Sequence, residues 1–467
     1  MASDFKRVLG RWDIFTLSFG AMIGWSWVVL TGEWINTAGT LGAILAFLIG
    51  GAVVAFVGLT YSELTSAMPK VGGEHIFSYK ALGVHASFFC TWGIVLGYVS
   101  VCAFEAVALP VVVENLFSLS SGTILWHIND NPIYLDWVLI GAVGSVLIGI
   151  ANYFGVKTAA LVQSLFTAMI VLAGVMLIAG SFAIDAPSDS NPIVWNTDGI
   201  SVELLAVLVM TPFMFVGFDV IPQAAEEINL PFRQIGKVLI WSVLLAILWY
   251  TLIIFAVGSV LNSAELEQET LAPAVAMQKI YGGAWAKNLL IFAGLAGIIT
   301  SWNSFFVGAT RAIFAMGHSG MLPKKFGKLH SRYNSPVLAI VLVTFTSVLA
   351  TFFGKEIMGW LVNAGGLGIV ISWSMVALSF LVLRKRAVNM PRPFKVSMGK
   401  LVGGAAFILS IGLIFLYLPG NSSSLNGIEW AIVAGWFIFG MLAYGLSLRK
   451  YGSKSMKQKM DAHLNEE

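Results

Sequence analysis

The sequence predicts an all-α membrane protein of twelve transmembrane helices. Hydrophobic residues make up 58% of its 467 positions and charged residues only 11%, against roughly 25% charged in an ordinary soluble protein. A mean hydropathy of +0.84 over this length is more than one soluble core absorbs. Charge-poor windows recur at 11–36, 40–67, 84–113, 135–153, 156–182, 202–229, 234–261, 284–316, 336–353, 356–383, 401–418 and 428–448. At about 1.5 Å of rise per residue, each approaches or exceeds the roughly 30 Å of a bilayer's hydrocarbon. Counted by alternate loops, 24 Lys and Arg fall on one side and only Lys279, Lys287 and Lys355 on the other. That asymmetry predicts a multi-pass plasma-membrane protein with both termini in the cytoplasm. Lys6, Arg7 and Arg11 resemble the basic start of a signal peptide. The run they precede is too long and lacks a small-residue cleavage site, so a retained span is expected.

Span one carries a break, Gly20-Ala-Met-Ile-Gly24-Trp-Ser-Trp27. Each glycine costs roughly 1 kcal/mol of helix propensity, and irregular backbone at membrane depth is tolerated where it lines a polar cavity. A glycine packing surface is the competing reading. Span six is interrupted too, at Met210-Thr-Pro-Phe-Met-Phe-Val-Gly217-Phe-Asp219-Val-Ile-Pro222. Interrupted helices at matching places in two halves point to a transporter's binding site.

The loop after span two, Pro69-Lys-Val-Gly-Gly73-Glu-His-Ile-Phe-Ser-Tyr79, holds a helix stop and a glycine turn, and its aromatic residues suit a short amphipathic helix along the membrane surface. Span three places Glu105 in an apolar helix; a carboxylate there costs at least ~2.5 kcal/mol, so it faces the bundle interior or a wet cavity, or makes a structural hydrogen bond. Glu33, near the outer end of span one, has the weaker claim because interfacial water is within reach. Cys90 and Cys102 lie about 18 Å apart along one helix, too far for a disulfide. Lys157 enters span five near its cytoplasmic end, where snorkelling to the interface is the plain alternative.

Glu226 and Glu227 are expected to be solvated or to cap a helix. His318 is expected to be solvated, the Arg384–Lys400 loop to supply inside-positive charge, and the tail from Arg449 to be mobile. Asn421-Ser-Ser423 matches a glycosylation pattern that chance often produces. No metal-ligand spacing, phosphate-binding loop or nucleophile elbow is present. No enzyme activity, cofactor, metal site, catalytic residue or nucleic-acid partner is therefore expected; the expected partners are a small-molecule substrate and membrane lipid.

Five stretches resemble the amino acid–polyamine–organocation family of transporters: GAMIGWSW in span one, PKVGGEHIFSYKALG after span two, NYFGVKTAALVQ entering span five, GFDVIPQAAEEINLPFRQIGKVL in span six, and RAIFAMGHSGMLPKKFGKLHSRYNSP after span eight. The resemblance implies a LeuT-like core of two inverted five-helix repeats, 11–182 and 202–383, with two further helices at 401–448 and a cytoplasmic tail at 449–467. It places the substrate between Ile23, Gly24, Trp25 and Ser26 of the first break and Phe213, Val216, Phe218 and Asp219 of the second, with Gly97, Cys102 and Glu105 from span three and Trp302 from span eight. The family commonly has Gly-Ser-Gly in span one, and Trp25 in this chain narrows that carboxylate cradle.

The implied function is secondary active transport of amino acids or related amines by alternating access, proton-coupled or by exchange. In sodium-driven relatives of the fold an ion sits where the Lys157 ammonium would stand, which makes Lys157 the coupling residue; Thr300 and Ser301 keep a sodium site open. The rivals are an amine or polyamine carrier without a carboxylate requirement, and a ligand sensor on the same fold. Glu105 and Asp219, two acids without a cation at their depth, favour a substrate carrying an unbalanced positive charge. If Asp219 is bonded within the protein and Glu105 is protonated, a neutral amino acid is favoured instead.

Overall fold

The computed structural model describes residues 7–117, 122–128, 131–183 and 202–465, without the side chains of 156–162 and 465. Helix α1 (Arg11–Met22) and helix α2 (Ser26–Ala67) together form a 57-residue apolar segment. That is about 85 Å of helix, far more than one bilayer, and α2 is broken at Gly39, where φ is 69° and ψ 166°. Gly72 and Gly73, both at positive φ, turn the chain into α3 (Glu74–Leu82) and then α4 (Val84–Phe117).

A short antiparallel hairpin, β1 (Ile124–Ile128) with β2 (Asn131–Tyr134), precedes α5 (Leu135–Tyr153) and α6 (Val156–Ser181). The second interrupted span is α7 (Val202–Leu208), α8 (Thr211–Phe215), α9 (Val220–Gln223) and a 3-10 turn at Ala225–Glu227. It leads into α10 (Phe232–Val260), two connecting helices α11 (Ser263–Gln268) and α12 (Ala272–Tyr281), and the long α13 (Ala284–Ser319). The chain closes with α14 (Val337–Thr351), α15 (Ile357–Arg386), α16 (Gly399–Tyr417) and α17 (Gly427–Asn465).

Among the described residues ten segments are long and apolar enough to cross a membrane, and α14 is apolar but shorter. The helices sort by what they bury. Nearly every residue of α4 from Cys90 to Ala108 is buried, including Glu105. By contrast α5, α6, α16 and α17 turn Leu147, Leu172, Phe415 and Leu446 outward, the pattern of a lipid-facing rim around a packed centre. α4 packs on α15 through small residues. A Cβ on Gly93 would lie 2.9 Å from the Gly368 carbonyl, and one on Gly368 would lie 2.7 Å from that of Gly93. Such close approach is what small residues provide between membrane helices.

Three expectations are corrected here. α3 does not lie along a surface: Glu74 through Tyr79 are all buried. Its polar side chains find partners inside, with His75 Nδ1 3.2 Å from Thr91 Oγ1 and Nε2 3.1 Å from Ser319 Oγ. The tail is an ordered helix. It bends at Gly452, buries Met456 and Met460, and accepts a 2.6 Å hydrogen bond from the Tyr79 hydroxyl on Asp461 Oδ1. Finally, Glu226 and Glu227 are buried rather than solvated. Glu227 pairs with Arg311 Nε at 3.0 Å, and its carbonyl accepts from the N–H groups of Val8 and Leu9, both at 2.9 Å. The His463 ring lies 3.6 Å from Glu226. The first and last helices therefore meet the second interrupted span at one end of the bundle.

Candidate functional site

The first break runs through Ile23-Gly24-Trp25, between the last turn of α1 and the first of α2. What lies against it is a stripe of small residues on α13. A Cβ on Gly297 would sit 2.9 Å from the Gly24 carbonyl oxygen, and one on Gly294 would collide with the Trp25 ring. A Cβ on Gly24 would in turn sit 2.5 Å from Ser301 Cβ and 3.4 Å from Glu105 Oε1. The Trp25 side chain is thus spent on filling the α13 groove and is fully buried. Trp27 Nε1 donates to the Ile23 carbonyl at 3.0 Å. Ser26 is partly exposed, and α2 begins there, so the first N–H groups of that helix have no acceptor within it.

The second break is held open by Gly217, whose φ of 135° is a conformation that side chains other than hydrogen rarely allow. Asp219 fixes it: Oδ1 accepts from the Gly217 N–H at 3.0 Å and Oδ2 from Trp373 Nε1 at 3.0 Å. Phe218 packs between Tyr61 and Trp373, with ring centroids 5.2 and 5.5 Å away. Val216 closes α8 by donating to the Pro212 carbonyl at 3.0 Å. Phe213 meets Phe104 at 5.7 Å.

One side chain joins the two breaks. The Tyr250 hydroxyl, on α10, donates to the Met22 carbonyl at 2.6 Å and lies 3.3 Å from the Met214 carbonyl and 3.3 Å from Ser26 Oγ. The carbonyl ends of α1 and α8 therefore converge, and they carry partial negative charge. Glu105 stands beside the first break and against the Ser301 hydroxyl. It is 2% exposed, and its Oε2 has no hydrogen-bond partner. A buried carboxyl oxygen left open in this way is where a donor from a ligand is accommodated at least cost.

Gly97 packs against Ile369 of α15, as a helix-packing glycine. Cys102 Sγ lies 4.0 Å from the Trp302 carbonyl. The Trp302 ring turns away from the breaks, and a Cβ on Gly144 of α5 would lie 3.2 Å from it. The Lys157 side chain lies outside the described residues. Thr300 Oγ1 sits 3.5 Å from the Gly20 carbonyl and 3.0 Å from that of Gly297.

Sequence reasoning missed Tyr250 and Trp373, which are single aromatics in aromatic-rich helices and carry no local signal. It missed Gly294 and Gly297 too, although with Ser301 they are small residues at helical spacing, a signal that could have found them.

The amino acid permease family matches residues 13–455. The chain is similar to the branched-chain amino acid permease BcaP of Bacillus subtilis (strain 168), at 26% identity over 96% of this chain and 94% of that protein. It is similar to a methylthioribose transporter of the same organism, at 24% identity over 96% of this chain and 95% of that one. An aspartate-proton symporter, also from B. subtilis, is 23% identical over 88% of this chain and 79% of its own length. All are permeases or transporters, not enzymes.

Proposed function

The chain belongs to the amino acid permease family, and on that footing we propose that it carries an amino acid with an uncharged side chain across the plasma membrane by secondary active transport. Of the two acids that favour a cationic substrate, Asp219 has both oxygens engaged, by Gly217 and Trp373. Glu105, with one oxygen open beside Gly24, is the observation that carries the reading. The α-ammonium is held by Glu105 and the carbonyl end of α1, and the α-carboxylate by the N–H groups that open α2 at Ser26. Ile23 and Phe213 supply apolar wall. The name of the branched-chain relative supports the same class.

The scaffold of this reading is twelve spans, ten in two inverted five-helix repeats, 11–182 and 202–383, and two more at 401–448, with both termini cytoplasmic. The Gly39 break divides the first 57-residue segment into two crossings, and α14 supplies one more. Lys157 is the coupling residue, so uptake responds to a pH gradient and is indifferent to replacing sodium with choline. A thermal-shift screen of amino acids and amines on purified protein tests the substrate class. A ligand at 100 times its Kd adds about 2.7 kcal/mol. Leucine or valine is expected to stabilise the protein. Because the open Glu105 oxygen also suits an ammonium lacking a carboxylate, stabilisation by putrescine or agmatine alone would instead establish an amine carrier.

A further inference from the structure

Away from the first break, a second polar cluster is sealed inside the bundle between α2, α3, α4, α9 and α15. It consists of Tyr61, Glu74, Cys90, Tyr98, Asp219, Gln223 and Trp373, each 0% exposed. Gln223 Nε2 donates to Glu74 Oε2, and Asp219 is held by Gly217 and Trp373. Four polar atoms here have no hydrogen-bond partner: Glu74 Oε1, Gln223 Oε1 and the hydroxyls of Tyr61 and Tyr98. The Tyr61 hydroxyl faces Glu74, and the Tyr98 hydroxyl faces Asp219 and Gln223, but neither completes a hydrogen bond. Orphaned polar atoms are costly when buried, and four together leave hydrogen bonds for an occupant to complete.

The occupant's chemistry follows from the donors already present. N–H groups of Gln223, Trp373 and Gly217 point at the two carboxyl groups. A metal ion would have to share those oxygens with three donors, and hard cations take six or more oxygen ligands instead. A proton needs one open oxygen, which Glu74 Oε1 provides, and neutral Gln223 Oε1 stands on the same pair of side chains to accept from it.

We propose that this cluster is a proton-binding site, with the proton on Glu74 and ordered water between Glu74, Gln223 and the two phenols. The step is one ionisation: the O–H bond of the Glu74 carboxylic acid breaks, the electron pair stays on oxygen and the proton passes to water. Ionised Glu74 then faces Asp219, a second buried negative charge, and the repulsion loosens α3 from α9. The site would thereby link proton occupancy to opening at the end of the bundle that carries both termini.

The ionisable groups facing Glu74 are Asp219, Tyr61, Tyr98 and Cys90; none is basic. His75, its neighbour on α3, turns to Ser87, Thr91 and Ser319, and burial pushes its pKa down to about 3, so it stays neutral. Burial, and secondarily the Asp219 charge, hold the Glu74 carboxyl well above the usual range.

The test is the pH dependence of thermal unfolding of the full-length protein in detergent, in choline buffer, from pH 4.5 upward. It needs no substrate, so its outcome is separable from the transport reading. A carboxyl whose native pKa is raised binds more protons folded than unfolded, so its stabilisation is complete at acid pH and is lost as pH rises through the native value. Within that window the unfolding constant is expected to rise up to tenfold per pH unit relative to Glu74→Gln, which lacks the proton. Asp219→Asn, which removes the opposing charge, is expected to move the window to lower pH, and it carries the test if Glu74→Gln does not purify. Equal pH slopes in the wild type and Glu74→Gln, or an unmoved window in Asp219→Asn, would overturn the proposal. So would stabilisation by sodium or potassium over choline that Glu74→Gln abolishes, since an alkali cation would then be the occupant.

Discussion

The Tyr250 hydroxyl stands 2.6 Å from the Met22 carbonyl oxygen, which ties the broken end of α1 to a continuous helix, α10. The same oxygen reaches to 3.3 Å from the Met214 carbonyl, at the end of α8. A phenol has one proton, so it fully serves one of these carbonyls at a time. Tyr250 thus bridges the two breaks, with two carbonyls competing for one proton.

Tyr250→Phe is expected to leave folding intact and to slow transport about tenfold, because a carbonyl left without a donor costs roughly 1–3 kcal/mol. Initial rates of substrate exchange in proteoliposomes measure this. Wild-type rates in the variant would mean that the two breaks work independently of the phenol.

Gly24→Ala puts a methyl group 2.5 Å from Ser301 Cβ, closer than packed atoms tolerate. Substrate binding is expected to fall strongly while the protein still inserts and purifies as a single species. Removing the opposing group in Gly24→Ala/Ser301→Gly is expected to recover much of the loss. Full binding by the single variant would make Gly24 a spacer with no contact to substrate.

How far the sequence was legible depends on distance along the chain. Hydropathy is local, so the apolar windows and both interruptions could be read, and Gly217 at positive φ stands where the second interruption was placed. Partners far away could not be read. Asp219 looked like an acid awaiting a cation because Trp373, which fills one of its oxygens, lies on α15. The Arg384–Lys400 loop was read as simple inside-positive charge. Instead Arg384 and Arg392 converge on fully buried Glu63 of α2, the latter at 3.0 Å, and the Val396 N–H adds a 2.8 Å hydrogen bond. For the tail the misleading signal was composition. Its lysines are polar, but Met456 and Met460, four residues apart, make one apolar face that docks.

The pair Arg311–Glu227, at 2% and 7% side-chain exposure, is expected to respond asymmetrically. Arg311→Met leaves a buried carboxylate without its partner and is expected to cost about 3–5 kcal/mol. Arg311→Met/Glu227→Met removes both charges and is expected to lose less than the single change. Denaturation midpoints of the two variants in detergent measure the difference; a double variant worse than the single one would contradict it.

The docked tail predicts protection from proteolysis. In the wild type, trypsin is expected to cut slowly at Lys454, Lys457 and Lys459. Met456→Asp/Met460→Asp places two charges on the buried face and is expected to release the helix and speed cleavage at least tenfold. Equal cleavage rates would mean that the helix is not held there.

Transport of an uncharged amino acid is tested most directly by counterflow: proteoliposomes loaded with unlabelled leucine, diluted into trace radiolabelled leucine. Transient accumulation of label is predicted, supported by leucine or valine inside and not by arginine, lysine or putrescine. Absence of counterflow for every amino acid that binds, or counterflow with arginine or putrescine alone, would contradict it.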